Sequence, residues 1–244
     1  ATPELCAQLD LSTWSLAFSG AEPVRATTIE RFVATFAAAG FRREAFYPCY
    51  GLAESSLFVS GGLRTAAPIM YTVQSAALEN NQVTATNDVQ AATTLVGCGH
   101  LRDGQQLAII DPHTLERCVS EQVGEIWVAG PSVAQGYWER PDATTAAFHA
   151  RLPDANAPFL RTGDLGFVRN GEVFVTGRLK DLIIIDGRNH YPQDIEATVE
   201  ACHPALRGGA SAAFSIDVNG SERLVVVTEV ERSFMSTQRR AGAD

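Results

Sequence analysis

This chain of 244 residues is short of long apolar runs. Its aliphatic stretch Leu182 to Ile185 is strand-sized, far from the roughly 20 apolar residues a membrane-spanning helix needs. Basic residues are scarce: 19 Lys and Arg stand against 28 Asp and Glu, a net charge of -9 with His neutral. That balance argues against a nucleic-acid partner, because neutralising a phosphate backbone takes clustered cations, but it leaves room for a local nucleotide site. The first residues, ATPELCAQLD, lack the basic start and apolar core of a signal peptide, so a cytoplasmic location is the default expectation. The five cysteines, Cys6, Cys49, Cys98, Cys118 and Cys202, are scattered, odd in number and form no C-x-x-C pair. They are expected to be buried reduced thiols rather than a disulfide framework or a metal cluster. The five histidines show neither H-x-x-x-H nor H-E-x-x-H spacing, and no protein-built zinc site is expected.

What is present is ordinary globular arithmetic, 45% hydrophobic and 19% charged, with an α/β (mixed α+β) pattern along the chain. The apolar segment 15–18 runs into the loop Ser19-Gly20-Ala21-Glu22-Pro23. Segment 27–40 then places Ile29, Phe32, Val33 and Phe36 on one helical face, with capping-box spacing between Thr27 and Glu30 and Gly40 as a stop. Segment 46–50, FYPCY, reads as a strand. Strand, helix and strand make one crossover, which implies a parallel pair. Residues 64–96 are rich in Ala, Thr, Gln and Asn with weak periodicity, and read as a long loop with short strands. From 106 the period becomes two. The Asn170-Gly171 pair between apolar runs predicts a hairpin with a type I′ turn, and 100–176 is expected to be a small antiparallel barrel or a distorted sheet. After the charged segment Arg178 to Asp181 come the strand LIIID and a helix opened by Pro192, with Ile195, Val199 and Cys202 as its apolar face. A second hairpin is expected at Asn219-Gly220. The stretch from Glu231 onward is polar.

Three motifs stand out in order: CYGLAES at 49–55, RTGDLGF at 161–167, and Arg178-Leu179-Lys180-Asp181 leading into LIIIDGRNHYPQDIE. Singly each has a bland reading as a turn, a turn before a strand, or a solvated linker. Together, the sequence resembles the adenylate-forming superfamily of acyl-CoA synthetases, luciferases and non-ribosomal adenylation domains, and more narrowly the fatty acyl-AMP ligases. The narrower likeness rests on Phe18-Ser19-Gly20-Ala21-Glu22-Pro23-Val24, Tyr50-Gly51-Leu52-Ala53-Glu54-Ser55, Gly124-Glu125-Ile126-Trp127-Val128, Gly136-Tyr137-Trp138, Leu160-Arg161-Thr162-Gly163-Asp164 and Gly187 to Glu196. It covers about Ser15 to Val230.

The resemblance implies roles residue by residue. Tyr50, with Gly51 beside it, matches the aromatic that stacks on adenine, a contact worth ~1–3 kcal/mol by analogy with base stacking. Gly20, Ala21 and Glu22 match the other adenine wall. Asp164 matches the carboxylate that accepts both ribose hydroxyls, and Arg178 a second ribose contact. Glu54 matches the residue that holds Mg²⁺, and Lys180 the hinge between a large and a small domain. Ala53 stands where much of the superfamily has Thr, as is common in the acyl-AMP ligase branch. The implied cofactors are ATP and Mg²⁺; the implied partners are a fatty acid and the phosphopantetheine arm of an acyl carrier protein.

The same likeness divides the chain into an α/β part at 1–97, a β-rich part at 98–177, and a hinge with a truncated small domain at 178–244. Residues 71–96 align with the insertion that marks acyl-AMP ligases and is held there to restrict domain rotation. Two superfamily features are absent from the sequence: the Gly/Ser/Thr-rich phosphate loop with its Lys, and the Pro-x-x-x-x-Gly-Lys of the adenylation lysine. The chain therefore reads as a fragment that does not adenylate unaided. An acyl-CoA ligase, an assembly-line adenylation domain and a folded, non-catalytic binding module stay open as alternatives.

Overall fold

The structure is a computed structural model that describes residues 2–185, 187–219, 221–232 and 234. It is a mixed α/β chain that divides between Leu179 and Lys180 into two compact units. In the first unit a short helix, α1 (Pro3–Cys6), precedes strand β1 (Ala17–Ser19), helix α2 (Ala26–Phe36) and strand β2 (Phe46–Tyr50). β1 and β2 pair in parallel, with Ala17 opposite Phe46 and Ser19 opposite Pro48, as the crossover pattern requires. The helix buries Ile29 and packs Phe32, Val33 and Phe36 against Phe41, Phe46 and Val96. Phe32 meets Phe41 and Phe46 edge to face at 5.0 and 5.4 Å, the geometry aromatic quadrupoles prefer.

The expected capping box does not form. Arg25 is the N-cap and makes no side-chain capping bond. An isolated bridge from Arg25 to Leu95 holds Arg25 extended and starts the helix at Ala26, so Thr27 lies inside it. Glu30 turns instead to Arg43 at 2.6 Å. Gly40, at φ 84°, ends the helical segment as expected.

β2 continues antiparallel into β3 (Ser60–Gly61), which pairs with β6 (His100–Leu101). Between them the Ala/Thr/Asn-rich stretch is an ordered ribbon, β4 (Met70–Gln74) against β5 (Ala92–Val96), with helix α3 (Ser75–Leu78) after β4. Val73, Leu78, Val83 and Val96 point into the core, which is why the weak periodicity still yields fixed structure. On the ribbon, Thr72 and Thr94 pair hydroxyls at 3.1 Å, and at its end Ser75 pairs with Thr93 at 2.9 Å.

The β-rich part is an open antiparallel sheet in the order β10-β9-β8-β7: β7 (Gln106–Ile110), β8 (Gly124–Ala129), β9 (Leu160–Arg169) and β10 (Glu172–Arg178). It is a distorted sheet and not a barrel, with irregularities at Glu125/Trp127 and Val175/Gly177. Helix α4 (Pro141–Phe148) lies between β8 and β9 in sequence. Asn170 and Gly171, at φ 52° and 81°, form the two-residue turn their sequence predicts. Strand β10 is tied to residues 97–99: Cys98 N–H donates to Val173 O at 2.7 Å, Val173 N–H to Gly99 O at 2.9 Å, and Gly99 N–H to the buried Glu172 carboxylate at 2.7 Å. These bonds fix the end of β10 beside the end of β2.

The second unit holds the ribbon β11 (Ile183–Ile185) and β12 (Arg188–His190), helix α5 (Pro192–Cys202), and the hairpin β13 (Leu206–Val218) with β14 (Ser221–Val230). Pro192 opens the helix. Ile195 and Val199 are half-buried, but Cys202 is exposed. The last turn of α5 therefore does not carry the apolar face to Cys202. Only Cys6 and Cys98 are buried; Cys49 and Cys118 are half-buried, and all five thiols are free. Asn219 turns at φ 55°, whereas Gly220 and the stretch from 235 lie outside the described residues. Among the described residues no helix is long and apolar enough to cross a membrane.

Candidate active site

The two parallel strands end side by side, and in open α/β sheets that carboxyl edge is where ligands bind. After β1 comes Gly20. A Cβ there would lie 2.8 Å from Cys49 O and 2.9 Å from its sulfur, so only glycine lets the two strand ends approach this closely. Ala21 follows with φ 69°, and Glu22 continues the loop. After β2, the chain folds back sharply. Leu57 N–H donates to Leu52 O at 3.0 Å and Val59 N–H to Tyr50 O at 2.9 Å. A Cβ on Gly51 would sit 1.6 Å from Leu57 O, so this fold-back exists only with glycine at 51.

Opposite this edge, β9 leaves the ladder. Trp127 pairs with Arg161 and Glu125 with Leu165, so Thr162, Gly163 and Asp164 face the single residue Ile126. Such bulges re-aim side chains. The Thr162 hydroxyl donates to Ile126 O at 2.6 Å and accepts from Asp164 N–H at 3.1 Å. The excursion aims Asp164 at Tyr50 and Arg178. The Tyr50 hydroxyl donates to Asp164 Oδ2 at 2.8 Å, and Arg178 Nε donates to Oδ1 at 3.0 Å from the directly opposed position on β10. Three of the residues expected from the sequence thus meet at one carboxylate.

The electrostatics follow from burial. Asp164 is 5% exposed. Burial pushes its carboxyl above the ordinary range, the Tyr50 and Arg178 bonds pull it down, and the charge of Glu54 raises it again. Burial, followed by the Asp164 charge, drives the Tyr50 phenol far up, so it stays a neutral donor. The Tyr50 ring packs with Val59, Cys98, Ile126, Val128 and Val173.

Glu54 lies on the short turn Ala53–Ser55 inside the fold-back. Its Oε1 accepts from the Tyr137 hydroxyl at 2.7 Å, and its backbone carbonyl from Ala134 N–H at 2.8 Å. The hydrogen bond to Glu54, with burial second, raises the Tyr137 phenol. Sequence reasoning assigned Tyr137 no role, although Gly136-Tyr137-Trp138 carried part of the likeness. Among the described residues no three His, Cys, Asp or Glu converge as a metal cage. A lone carboxylate with one oxygen engaged fits a Mg²⁺ shared with nucleotide phosphates, which usually takes one or two carboxylates and keeps several waters. Lys180, the sole lysine of the chain, is exposed and is the first residue of the second unit.

Residues 2–138 match the AMP-binding enzyme family, and residues 180–239 match the AMP domain of Disco-interacting protein 2-like proteins. JamA of Moorena producens (strain JHB), a medium-chain-fatty-acid–[acyl-carrier-protein] ligase, is 51% identical over 240 residues, which are 97% of this chain and 40% of that protein. TtuA of Teredinibacter turnerae (strain ATCC 39867 / T7901), a ligase of the same description, is 41% identical over 93% of this chain and 37% of its own length. The crystal structure of the fatty acyl-adenylate ligase from L. pneumophila, in complex with acyl adenylate and pyrophosphate, superposes with a TM-score of 0.73 at 45% identity, covering 98% of this chain and 42% of that one. The chain therefore spans about two fifths of the length of these relatives.

Proposed function

The chain belongs to the AMP-binding enzyme family, and on that footing we propose that the protein carrying it activates a fatty acid as its acyl-adenylate. The fatty-acid carboxylate attacks the α-phosphorus of ATP, a carboxylate–phosphorus bond forms, and pyrophosphate leaves with the broken P–O bond. The observation that carries this reading is the Tyr50–Asp164–Arg178 constellation at the strand ends. An ionised carboxylate offers about four lone-pair sites. Tyr50 and Arg178 occupy one on each oxygen of Asp164, which leaves one per oxygen for the two vicinal hydroxyls of a ribose. The adenine lies between Tyr50 and the Gly20-Ala21-Glu22 wall, and Arg178, with its side chain 56% exposed, reaches the open side of the ribose.

Glu54 is the residue that would hold Mg²⁺, which when bound neutralises charge on the phosphates. Lys180 is the hinge on which the second unit turns between adenylation and acyl transfer, consistent with its place at the division of the chain. The acyl acceptor is the phosphopantetheine thiol of a carrier protein, in keeping with the descriptions of JamA and TtuA, and the 71–96 segment restrains the rotation that free CoA requires.

The test is ATP–pyrophosphate exchange by the full-length protein with a panel of fatty acids, followed by mass spectrometry of the product with carrier protein and with CoA. Fatty-acid-dependent exchange and acyl transfer to the carrier protein are expected. Absence of exchange with every chain length refutes adenylation, and efficient acyl-CoA formation refutes the acceptor assignment.

A further inference from the structure

Glu125 lies outside the constellation just described and yet is among the most buried charged groups in the chain, at 2% exposure. Both of its oxygens are engaged. Oε2 accepts from Trp127 Nε1 at 2.9 Å and from Arg161 Nε and Nη2 at 3.1 and 2.9 Å. Oε1 accepts from the backbone N–H of Gly163 at 3.2 Å. The Arg161 guanidinium also lies over the Trp127 ring, 5.5 Å from its centre.

The bulge explains why a carboxylate is needed there. Where three residues of β9 oppose one of β8, the regular ladder between Thr162, Gly163, Asp164 and β8 is interrupted, although Asp164 still pairs with Arg178 on β10. Asp164 N–H is satisfied by the Thr162 hydroxyl. Gly163 N–H is satisfied by Glu125, which thereby substitutes for the missing strand. The same carboxylate grips Arg161, the residue at which the excursion begins. Gly163, at φ 72°, lets the chain turn between the two held points. A buried Glu–Arg pair is weak evidence for added stability, since desolvation offsets most of its attraction; its better attested use is to hold one arrangement against others.

We propose that Glu125 is a positioning residue of the ribose site: through Arg161 and Gly163 it holds the bulge that aims Asp164, without touching nucleotide itself. This rests on the reading of Asp164 as the ribose acceptor. It goes beyond it by assigning the aim of Asp164 to a buried carboxylate on the neighbouring strand.

The experiment is a double-mutant cycle in the full-length protein, read as the dissociation constant of a non-hydrolysable acyl-adenylate analogue by calorimetry. The variants are Glu125→Gln, Asp164→Asn and the pair, with melting temperature measured alongside. Glu125→Gln keeps the shape but puts an amide donor against Arg161 or Gly163, and is expected to weaken binding about 5- to 100-fold. If Glu125 acts through Asp164, the double variant binds within about twofold of Asp164→Asn alone. A purely structural Glu125 gives the same loss in both backgrounds, which overturns the proposal, as does wild-type affinity in Glu125→Gln. Wild-type affinity in Asp164→Asn overturns the ribose reading, and this proposal with it. Should Glu125→Gln fail to fold, Arg161→Lys removes the guanidinium fork at a side chain that is 33% exposed. The same cycle then applies: a loss that vanishes beside Asp164→Asn supports the proposal, and an undiminished loss or wild-type affinity overturns it.

Discussion

Asp164→Asn separates binding from stability, because the structure gives the carboxylate opposite effects on the two. Each Asp164 oxygen already accepts one bond, from Tyr50 at 2.8 Å or Arg178 at 3.0 Å. The amide keeps one oxygen and sets its NH₂ against either the phenol or the guanidinium, donor to donor. On the proposed ribose site, one hydroxyl then loses its acceptor, along with the charge that strengthened it. A hydrogen bond to a charged group is worth about 1.5–3 kcal/mol, so the acyl-adenylate analogue should bind roughly 10- to 150-fold more weakly.

Folding goes the other way. The Asp164 carboxyl is held above its ordinary value chiefly by burial, so the folded chain binds this proton more tightly than the unfolded one. Its contribution to stability is greatest below about pH 3.9, where the unfolded chain also keeps the proton, and is lost as pH rises through the raised folded value. At neutral pH an uncharged amide removes that burial cost. The ion pair it gives up has an Arg178 side chain 56% exposed, so that loss stays at or below ~1 kcal/mol. Calorimetry at pH 7, a pH series of the same titration and thermal melts make the assay. Affinity should fall while melting temperature holds or rises. Wild-type binding should fade as pH drops through the raised carboxyl value, and the variant's should stay flat. Unchanged affinity at pH 7, or a melting temperature that falls in step with affinity, refutes the reasoning.

Three further outcomes follow from the same structure. Because Lys180 is the sole lysine of these 244 residues and is exposed at the division of the chain, a lysine-specific protease should cut the folded 244-residue chain once, into residues 1–180 and 181–244; resistance to that cut would show the segment is not an accessible link. Gly51→Ala places a methyl group 1.6 Å from Leu57 O, a backbone clash that side-chain motion does not relieve, and should cost about 3 kcal/mol or more in thermal or urea melts; a loss under about 1 kcal/mol would show that the fold-back opens to admit a side chain and does not require glycine. On the proposed restraint by 71–96, trimming the exposed residues 87–90, which spares the buried Val73, Leu78, Val83 and Val96, should raise acyl-CoA formation by the full-length protein while the proposed acyl-AMP formation persists. A conformational bias of ~3 kcal/mol suffices to hold the CoA-competent state below about 1%, and acyl-CoA yield unchanged by the trim removes 87–90 from the gate.

The features the sequence determined by itself are those written in local spacing. The apolar face of α2 and its Gly40 stop, the Asn170-Gly171 turn and the Pro192 helix start each depend on residues within a few positions of one another, and the strand-helix-strand order around α2 already implied the parallel pair. The residues to watch were marked too, because Tyr50, Glu54, Asp164 and Arg178 sit in motifs that resemble those of one family. Tertiary structure decided how they meet. Tyr50 and Asp164 are 114 positions apart, and their hydrogen bond exists because β10 is tied to residues 97–99 and β9 bulges opposite Ile126. The motif at 161–167 reads locally as a turn before a strand; that it is a bulge within β9, completed by Glu125 on the neighbouring strand, is not written in its spacing. The same holds for Tyr137 and Glu54, 83 positions apart. Where local signals failed, a long-range contact had prevailed. The bridge from Arg25 to Leu95 set the start of α2 in place of the Thr27–Glu30 box. Spacing fixes what a segment can become, whereas the partner that satisfies a displaced backbone group or a buried carboxylate is chosen only once distant strands have packed.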